Sequence, residues 1–230
     1  MPFDTHQFAE AVVVETARPE RAAGRGRARE RAKRVFDLAL GLAVLPVIAV
    51  MVGLLYLVVR AVDGHPVFFS QMRVGRGGVM FRCWKLRTMT PDAEARLENI
   101  LARDPEAARE WRETQKLQND PRVTRLGRIL RKTSLDELPQ LYNVLRGEMS
   151  LVGPRPIVRD EISRYGEDFD FYSAVRPGVT GLWQVSGRSA VSYERRVELD
   201  RRYAETWTIG GDVLIILKTA GAVLSGRGSV

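Results

Sequence analysis

The chain has 230 residues, of which 45% are hydrophobic and 28% charged, the composition of one folded domain with an appendage and not of a disordered chain. Its single cysteine, Cys83, excludes an internal disulfide framework and a cysteine-rich zinc site, and the two histidines, His6 and His65, stand too far apart in sequence for a ligand-like spacing. A net charge of +8 and a pI near 10.0 point to an anionic partner: nucleic acid, acidic lipid or a phosphorylated substrate.

The mean hydropathy of −0.18 conceals one local feature. Leu38 to Val59 is a run of 22 residues without a charge, which as a helix reaches roughly 33 Å, near the thickness of a bilayer core. It begins too far from the N-terminus for a signal peptide, and no small-residue cleavage site follows it. The run therefore reads as a membrane-embedded helix in preference to a buried core helix. Pro46 lies in its middle, where it removes one backbone hydrogen bond and predicts a break.

Positive charge flanks both ends of the run. Eight basic and two acidic residues fall between Arg18 and Arg34, and Arg60, Arg73, Arg76, Arg82, Lys85 and Arg87 follow. Because a Lys/Arg excess marks the cytoplasmic side of a membrane, a re-entrant helix that enters and leaves by one leaflet satisfies the pattern. A tilted single span with a proline bend is the competing reading. Residues 1–33 read as a basic, mobile tail that meets anionic membrane lipid at about 1 kcal/mol per charge. A nucleic-acid arm is disfavoured, since a hydrophobic anchor follows it and no recognition fold does.

Beyond Arg60 the pattern shortens. Pro66 to Gln71 and Val79 to Leu86 read as strands around the turn Gly75-Arg76-Gly77-Gly78. Those glycines lack the strand–loop–helix setting of a phosphate cradle. Helices are predicted over Asp92 to Arg103, from the Asp104-Pro105 cap to about Gln118, from Thr124 to Lys132 and from Ser134 to Arg146. Pro154-Arg155-Pro156 predicts a rigid extended stretch. Ile162 to Ala174 and Ser192 to Trp207 read as helices, and Asp212 opens a last one whose apolar stripe lies on the membrane or the core. The fold class is thus α+β and mostly helical, with a membrane-embedded helix at residues 34–60, amphipathic surface helices and a small β-hairpin, and a domain outside the membrane over residues 61–230.

The densest chemical signal is Arg131-Lys132-Thr133-Ser134-Leu135-Asp136-Glu137-Leu138-Pro139. Ser134 and Glu137 have the spacing of a capping box, which would make both acids structural. Pro139 instead suits a first helical turn, which would leave Asp136 and Glu137 on a turn before the helix. In either case two carboxylates stand among positive groups. A carboxylate can attack phosphorus, and a neighbouring one can hold Mg²⁺. Arg155, Arg176 and Arg188 each sit beside a proline or glycine, and their planar forks suit phosphate.

Several segments together carry a family resemblance: Lys33-Arg34-Val35-Phe36-Asp37 before the hydrophobic run, Phe81-Arg82-Cys83-Trp84-Lys85-Leu86-Arg87-Thr88-Met89, and Ser134-Leu135-Asp136-Glu137-Leu138-Pro139-Gln140-Leu141. Gly147 to Pro156 and Arg176-Pro177-Gly178-Val179-Thr180-Gly181 continue it. From about residue 33 to 225 the chain resembles the bacterial sugar transferases, the monotopic polyprenyl-phosphate phosphoglycosyl transferases that initiate exopolysaccharide, capsule or O-antigen synthesis.

The resemblance implies a re-entrant helix broken at Pro46, although Leu45 stands where relatives often place serine. It implies a minimal catalytic form on the cytoplasmic side of the bacterial inner membrane. Asp136 is by that resemblance the nucleophile and Glu137 its Mg²⁺-binding partner. Arg131, Arg155 and Arg188 match basic positions linked to the anionic substrates, Lys85 and Arg176 fall in shared motifs, and the role of Asp200 is left open. The substrates implied are a UDP-sugar and polyprenyl (undecaprenyl) phosphate, with UMP released. The ending Leu224 to Gly228 resembles hexose-1-phosphate transferases, which favours a galactose or glucose donor over an N-acetylhexosamine. A non-catalytic membrane-tethered scaffold is the rival class, and a homo-oligomer is left open.

Overall fold

The computed structural model describes residues 27–114, 117, 119–187 and 191–224. A single helix, α1 (Arg27–Val62), contains the whole apolar run and 36 residues in all. Helical residues continue on both sides of Pro46, whose ring supplies no N–H for an i→i−4 bond. The first seven residues of α1, read from sequence as part of a mobile tail, are helical because the rest of the protein holds them. Arg34 donates to the carbonyls of Val144 and Leu145, Lys33 Nζ lies 2.6 Å from Asp212 Oδ2, and Arg29 and Lys33 both face the ring of Trp207. The tail up to residue 26 lies outside the described residues.

The hairpin is present: β1 (Phe68–Val74) pairs antiparallel with β2 (Met80–Leu86). The first strand starts later than Pro66 and runs three residues beyond Gln71. Next come α2 (Ala93–Arg103), α3 (Pro105–Thr114) and α4 (Arg125–Thr133). Asp104 caps α3, accepting from the amides of Glu106 and Ala107, and Thr124 caps α4 through Gly127 N–H. A 3₁₀ turn over Leu135–Glu137 leads to α5 (Gln140–Arg146).

Sequence reading did not find the second sheet. In it, β3 (Ser150–Val152) pairs parallel with β4 (Gly178–Thr180). Between these strands the expected helix from Ile162 to Ala174 is divided into α6 (Ile162–Tyr165) and α7 (Phe169–Ala174), with Gly166 at φ 51° between them. The chain then forms α8 (Leu182–Val185), α9 (Tyr193–Thr206) and α10 (Ile209–Leu224). The last helix starts three residues before Asp212, which is fully buried and not the opening residue expected.

Helix α1 lies along this domain for much of its length. Near its start Asp37 accepts from the Leu151 amide of β3. In its middle Val44, Leu45 and Ile48 pack on Leu141, Val144, Phe81 and Met149. Toward its end Leu55, Tyr56 and Val59 pack on Val67, Leu86 and Leu130. The opposite face shows Leu42, Val47, Val50, Leu54 and Leu57, each more than half exposed. The most apolar 18-residue window of α1 is only 6% buried, and the helix is long and apolar enough to cross a membrane. A stripe of that size marks a membrane-contacting surface.

Gly127 shows how tightly α4 seats on the segment after the hairpin, because a Cβ there would come within 2.0 Å of the Thr88 carbonyl oxygen. Replacing Gly127 with Ala is expected to lower stability by about 1–3 kcal/mol. Gly53→Ala, with nothing within 4 Å of the added atom, should leave stability unchanged or raise it slightly. Thermal unfolding of the two variants in the same detergent checks the contrast.

Candidate active site

Helix α4 ends at Ser134, which adopts the left-handed region at φ 57° and sends its amide back to the Arg131 carbonyl. Such a conformation is uncommon for a residue with a Cβ. It throws the next three residues into the 3₁₀ turn. Pro139, at φ −61°, then caps α5. Ser134 makes no side-chain cap bond to this turn, so the capping box is not formed, and both acids precede α5 on a turn.

Asp136 is 6% exposed. Burial is the largest influence on its carboxyl and pushes it up to about 6, against the opposing charge of Lys85 and with the repulsion of Glu137. The carboxyl thus titrates closer to neutrality than an exposed aspartate does. Glu137 behaves in the opposite way. Burial acts to raise it, but Lys85 and Arg155 bring it below the usual carboxylate value. Lys85 Nζ on β2 lies 2.7 Å from Glu137 Oε1.

The partners on either side are fixed by Asn143, a fully buried residue of α5. Its Nδ2 donates to the Arg82 carbonyl at 2.7 Å, and its Oδ1 accepts from the Trp84 amide at 3.1 Å. One side chain thereby fastens the middle of β2 to the helix that follows the acid pair. Sequence reading missed it; the available signal was an asparagine inside a helix, where it is a poor former.

Two cavities flank the pair. The polar one encloses, with solvent at its mouth, about 290 Å³ and is lined by Arg73, Lys85, Glu137, Gln140, Arg155 and Gln184 among others. The apolar one, about 790 Å³ by the same measure, runs between α1, the hairpin and α5 and includes Ile48, Val52, Trp84, Leu138, Pro139 and Leu145. The same short segments face both ways: Trp84 and Lys85 take opposite sides of β2, and Glu137 and Gln140 turn away from Leu138 and Pro139.

The other expected site residues separate. Arg155 lines the polar cavity with its guanidinium 5.7 Å from the ring of Trp183. Arg131 donates from Nε to Thr88 Oγ1 at 2.8 Å, and its charge reaches Asp136. Asp200 is 1% exposed and accepts from Tyr165 Oη at 2.8 Å, and burial pushes its carboxyl up to about 7, with the charges of Arg196 and Arg155 opposing. Arg176 does not line the cavity and instead donates to the Gly147 carbonyl at 2.8 Å. Arg188 lies outside the described residues. Arg73, Gln140 and Gln184 were not assigned a role from sequence: Gln140 lies in the motif Ser134 to Leu141 but next to the more conspicuous acids, and Arg73 and Gln184 sit on a strand and a short helix with no motif to distinguish them from surface residues.

A buried acid at a strained turn, an ion-paired second acid and several cations around a cavity suit a phosphorylated ligand. The family model described as bacterial sugar transferase matches residues 28–226, and the chain belongs to that family. It is 50% identical over 198 residues to the undecaprenyl-phosphate galactose phosphotransferase of Salmonella typhimurium, and 50% identical to the UDP-galactose-lipid carrier transferase of Erwinia amylovora. Each match covers 86% of this chain but 41% of the relative, so the chain spans about two fifths of their length. It is 48% identical to the exopolysaccharide production protein ExoY of Rhizobium meliloti, over 86% of this chain and 88% of that protein.

The left-handed Ser134 gives a direct check on the turn. Ser134→Gly should keep the fold and the activity, whereas Ser134→Val should cost about 1–2 kcal/mol and displace Asp136. Parallel thermal unfolding and turnover measurements on the two variants distinguish these outcomes.

Proposed function

We propose that this chain transfers a sugar 1-phosphate from a UDP-sugar to a polyprenyl phosphate, undecaprenyl phosphate, and so initiates a bacterial surface polysaccharide. One observation carries the reading: Asp136 is a buried carboxyl on a turn whose next residue, Glu137, lines a cation-lined cavity and whose Leu138 and Pro139 line an apolar cleft beside the membrane-facing helix. The first suits a nucleotide diphosphate and the second an isoprenoid chain.

In the first step an Asp136 carboxylate oxygen attacks the β-phosphorus of the donor. The bond from that phosphorus to the oxygen bridging the two phosphates breaks, and UMP leaves with that oxygen. The sugar phosphate is then esterified to Asp136. In the second step an oxygen of the lipid phosphate attacks the same phosphorus, the carboxylate is released and a polyprenyl diphosphate sugar forms. Lys85 and Arg155 stabilise negative charge on the non-bridging oxygens throughout.

Glu137, with one oxygen on Lys85, and Asp136 offer a small carboxylate set, and no group of three or more acidic, His or Cys ligands stands among the described residues. That set suits Mg²⁺, which takes one or two carboxylates and fills its remaining positions with water and substrate phosphates. Held there, Mg²⁺ would supply charge neutralisation at the diphosphate.

Membrane placement follows the same logic. Both ends of α1 contact one domain, through Lys33–Asp212 at the start and Val59 packed on Leu86 and Leu130 at the end. This supports a monotopic arrangement in which both ends stay on the cytoplasmic side and the catalytic domain lies at the headgroup level. The relatives named for galactose transfer favour galactose as the sugar.

Asp136→Asn should abolish UMP release from UDP-galactose in membranes while membrane association is retained; normal release would remove Asp136 as nucleophile. Attack needs the ionised carboxyl, so activity is lost as pH falls through its value. The kcat/KM for the donor should be level above pH 7, and it should fall about tenfold per unit below pH 6. Persistence of full activity to an inflection near 3.8, the ordinary value, would contradict the burial argument.

A further inference from the structure

The polar cavity contains more binding capacity than the protein itself uses. Gln184 on α8 donates from Nε2 to the Val179 carbonyl at 3.1 Å. This bond orients the amide and leaves Oε1 buried without a partner. An unpartnered buried acceptor costs about 1–3 kcal/mol, so its retention on a cavity wall is accounted for by a ligand that donates to it.

Arg73 enters the same cavity from β1. Its guanidinium donates to the Pro156 carbonyl at 3.0 Å and to Gln71 Oε1 at 2.6 Å, and it stands 3.8 Å from Glu161. Burial, and then the like charge of Arg155, press it below its ordinary value. Among the described residues the cavity is lined by three cations, Arg73, Lys85 and Arg155, against the one anion Glu137. Cations crowded together in a partly enclosed space call for an anion of compensating charge, and a diphosphate supplies it.

We propose that Arg73 and Gln184 form the nucleotide side of the donor subsite. Arg73, with Arg155, grips the phosphate that departs on UMP, and Gln184 Oε1 accepts an N–H or O–H from the nucleoside. The assignment rests on the UDP-sugar reading above. It carries an asymmetry. An attack in line with the Asp136–phosphorus bond brings the incoming lipid phosphate to the place that UMP has left. Arg73 therefore serves both substrates, whereas Gln184 serves only the nucleotide.

The test uses the full chain in lipid nanodiscs with UDP-galactose, undecaprenyl phosphate and UMP as inhibitor. Arg73→Gln, which keeps a donor for the Pro156 carbonyl but no charge, should raise the KM of both substrates about tenfold, and Arg73→Lys should restore most of it. Gln184→Leu should raise the donor KM and the UMP inhibition constant about fivefold and leave the lipid KM unchanged; Gln184→Ala is the second substitution should leucine not fit. Within the nucleotide, N3-methyl-UMP and 2′-deoxy-UMP distinguish a base N–H from a ribose O–H, because the analogue lacking the contact binds wild type and Gln184→Leu equally. The assignment is overturned if Gln184→Leu binds UMP as wild type does, if it weakens lipid and donor alike, or if Arg73→Lys is as impaired as Arg73→Gln. Should wild type neither release UMP nor be inhibited by it, the UDP-sugar reading itself fails, which is a different result.

Discussion

Lys85 and Glu137, 2.7 Å apart, join the hairpin to the turn that carries Asp136, and the site depends on that junction. An acid held this close to a cation stays ionised, so Glu137 can sit beside a buried Asp136 without both carboxyls protonating. Asn143 secures the same junction at the backbone level by taking the Arg82 carbonyl and the Trp84 amide. With β2 fixed, strand alternation decides the rest: Lys85 faces the polar cavity and Trp84 the apolar cleft. The two faces of this junction thus open on two cavities, one polar and one apolar.

The long helix α1 is less a separate anchor than a part of the domain. Its charged first turns are bound to buried partners. Lys33 pairs with Asp212, and Asp212 and the Val152 carbonyl of β3 share the single Tyr203 O–H, at 2.9 and 2.8 Å. Asp37, 1% exposed, accepts from the next residue of that strand, Leu151. These contacts fix the height of the catalytic turn relative to the outward stripe of Leu42, Val47, Val50, Leu54 and Leu57. A rigid offset of this kind is what a reaction between a headgroup phosphate and a dissolved nucleotide requires.

Much of this was legible in the sequence where the signal is local. Thr124, Asp104-Pro105 and Ser192 mark helix starts by capping chemistry, and the glycine-rich turn marks the hairpin. At residues 134–139 two local signals competed, and proline prevailed: Pro139 has no amide to donate and a fixed φ, so it starts α5 and leaves the acids outside it. The parallel pairing of residues 150–152 with 178–180 was not legible, since three-residue strands have no measurable period and their partners are distant in sequence. Residues 27–33 lack an apolar rhythm and owe their helix to tertiary ion pairs. Arg73 and Gln184 appear ordinary in sequence, and only the cavity they share distinguishes them.

The central claim is that Asp136 becomes bonded to the sugar phosphate, and intact-protein mass spectrometry with peptide mapping tests it most directly. Purified chain in nanodiscs, given UDP-galactose and Mg²⁺ but no lipid phosphate, should gain the mass of one hexose phosphate less one water. Mapping should place it on the peptide containing Asp136, and undecaprenyl phosphate should then remove it. UMP release that proceeds at full rate with no such adduct, or with an adduct that the lipid phosphate does not discharge, would contradict the account.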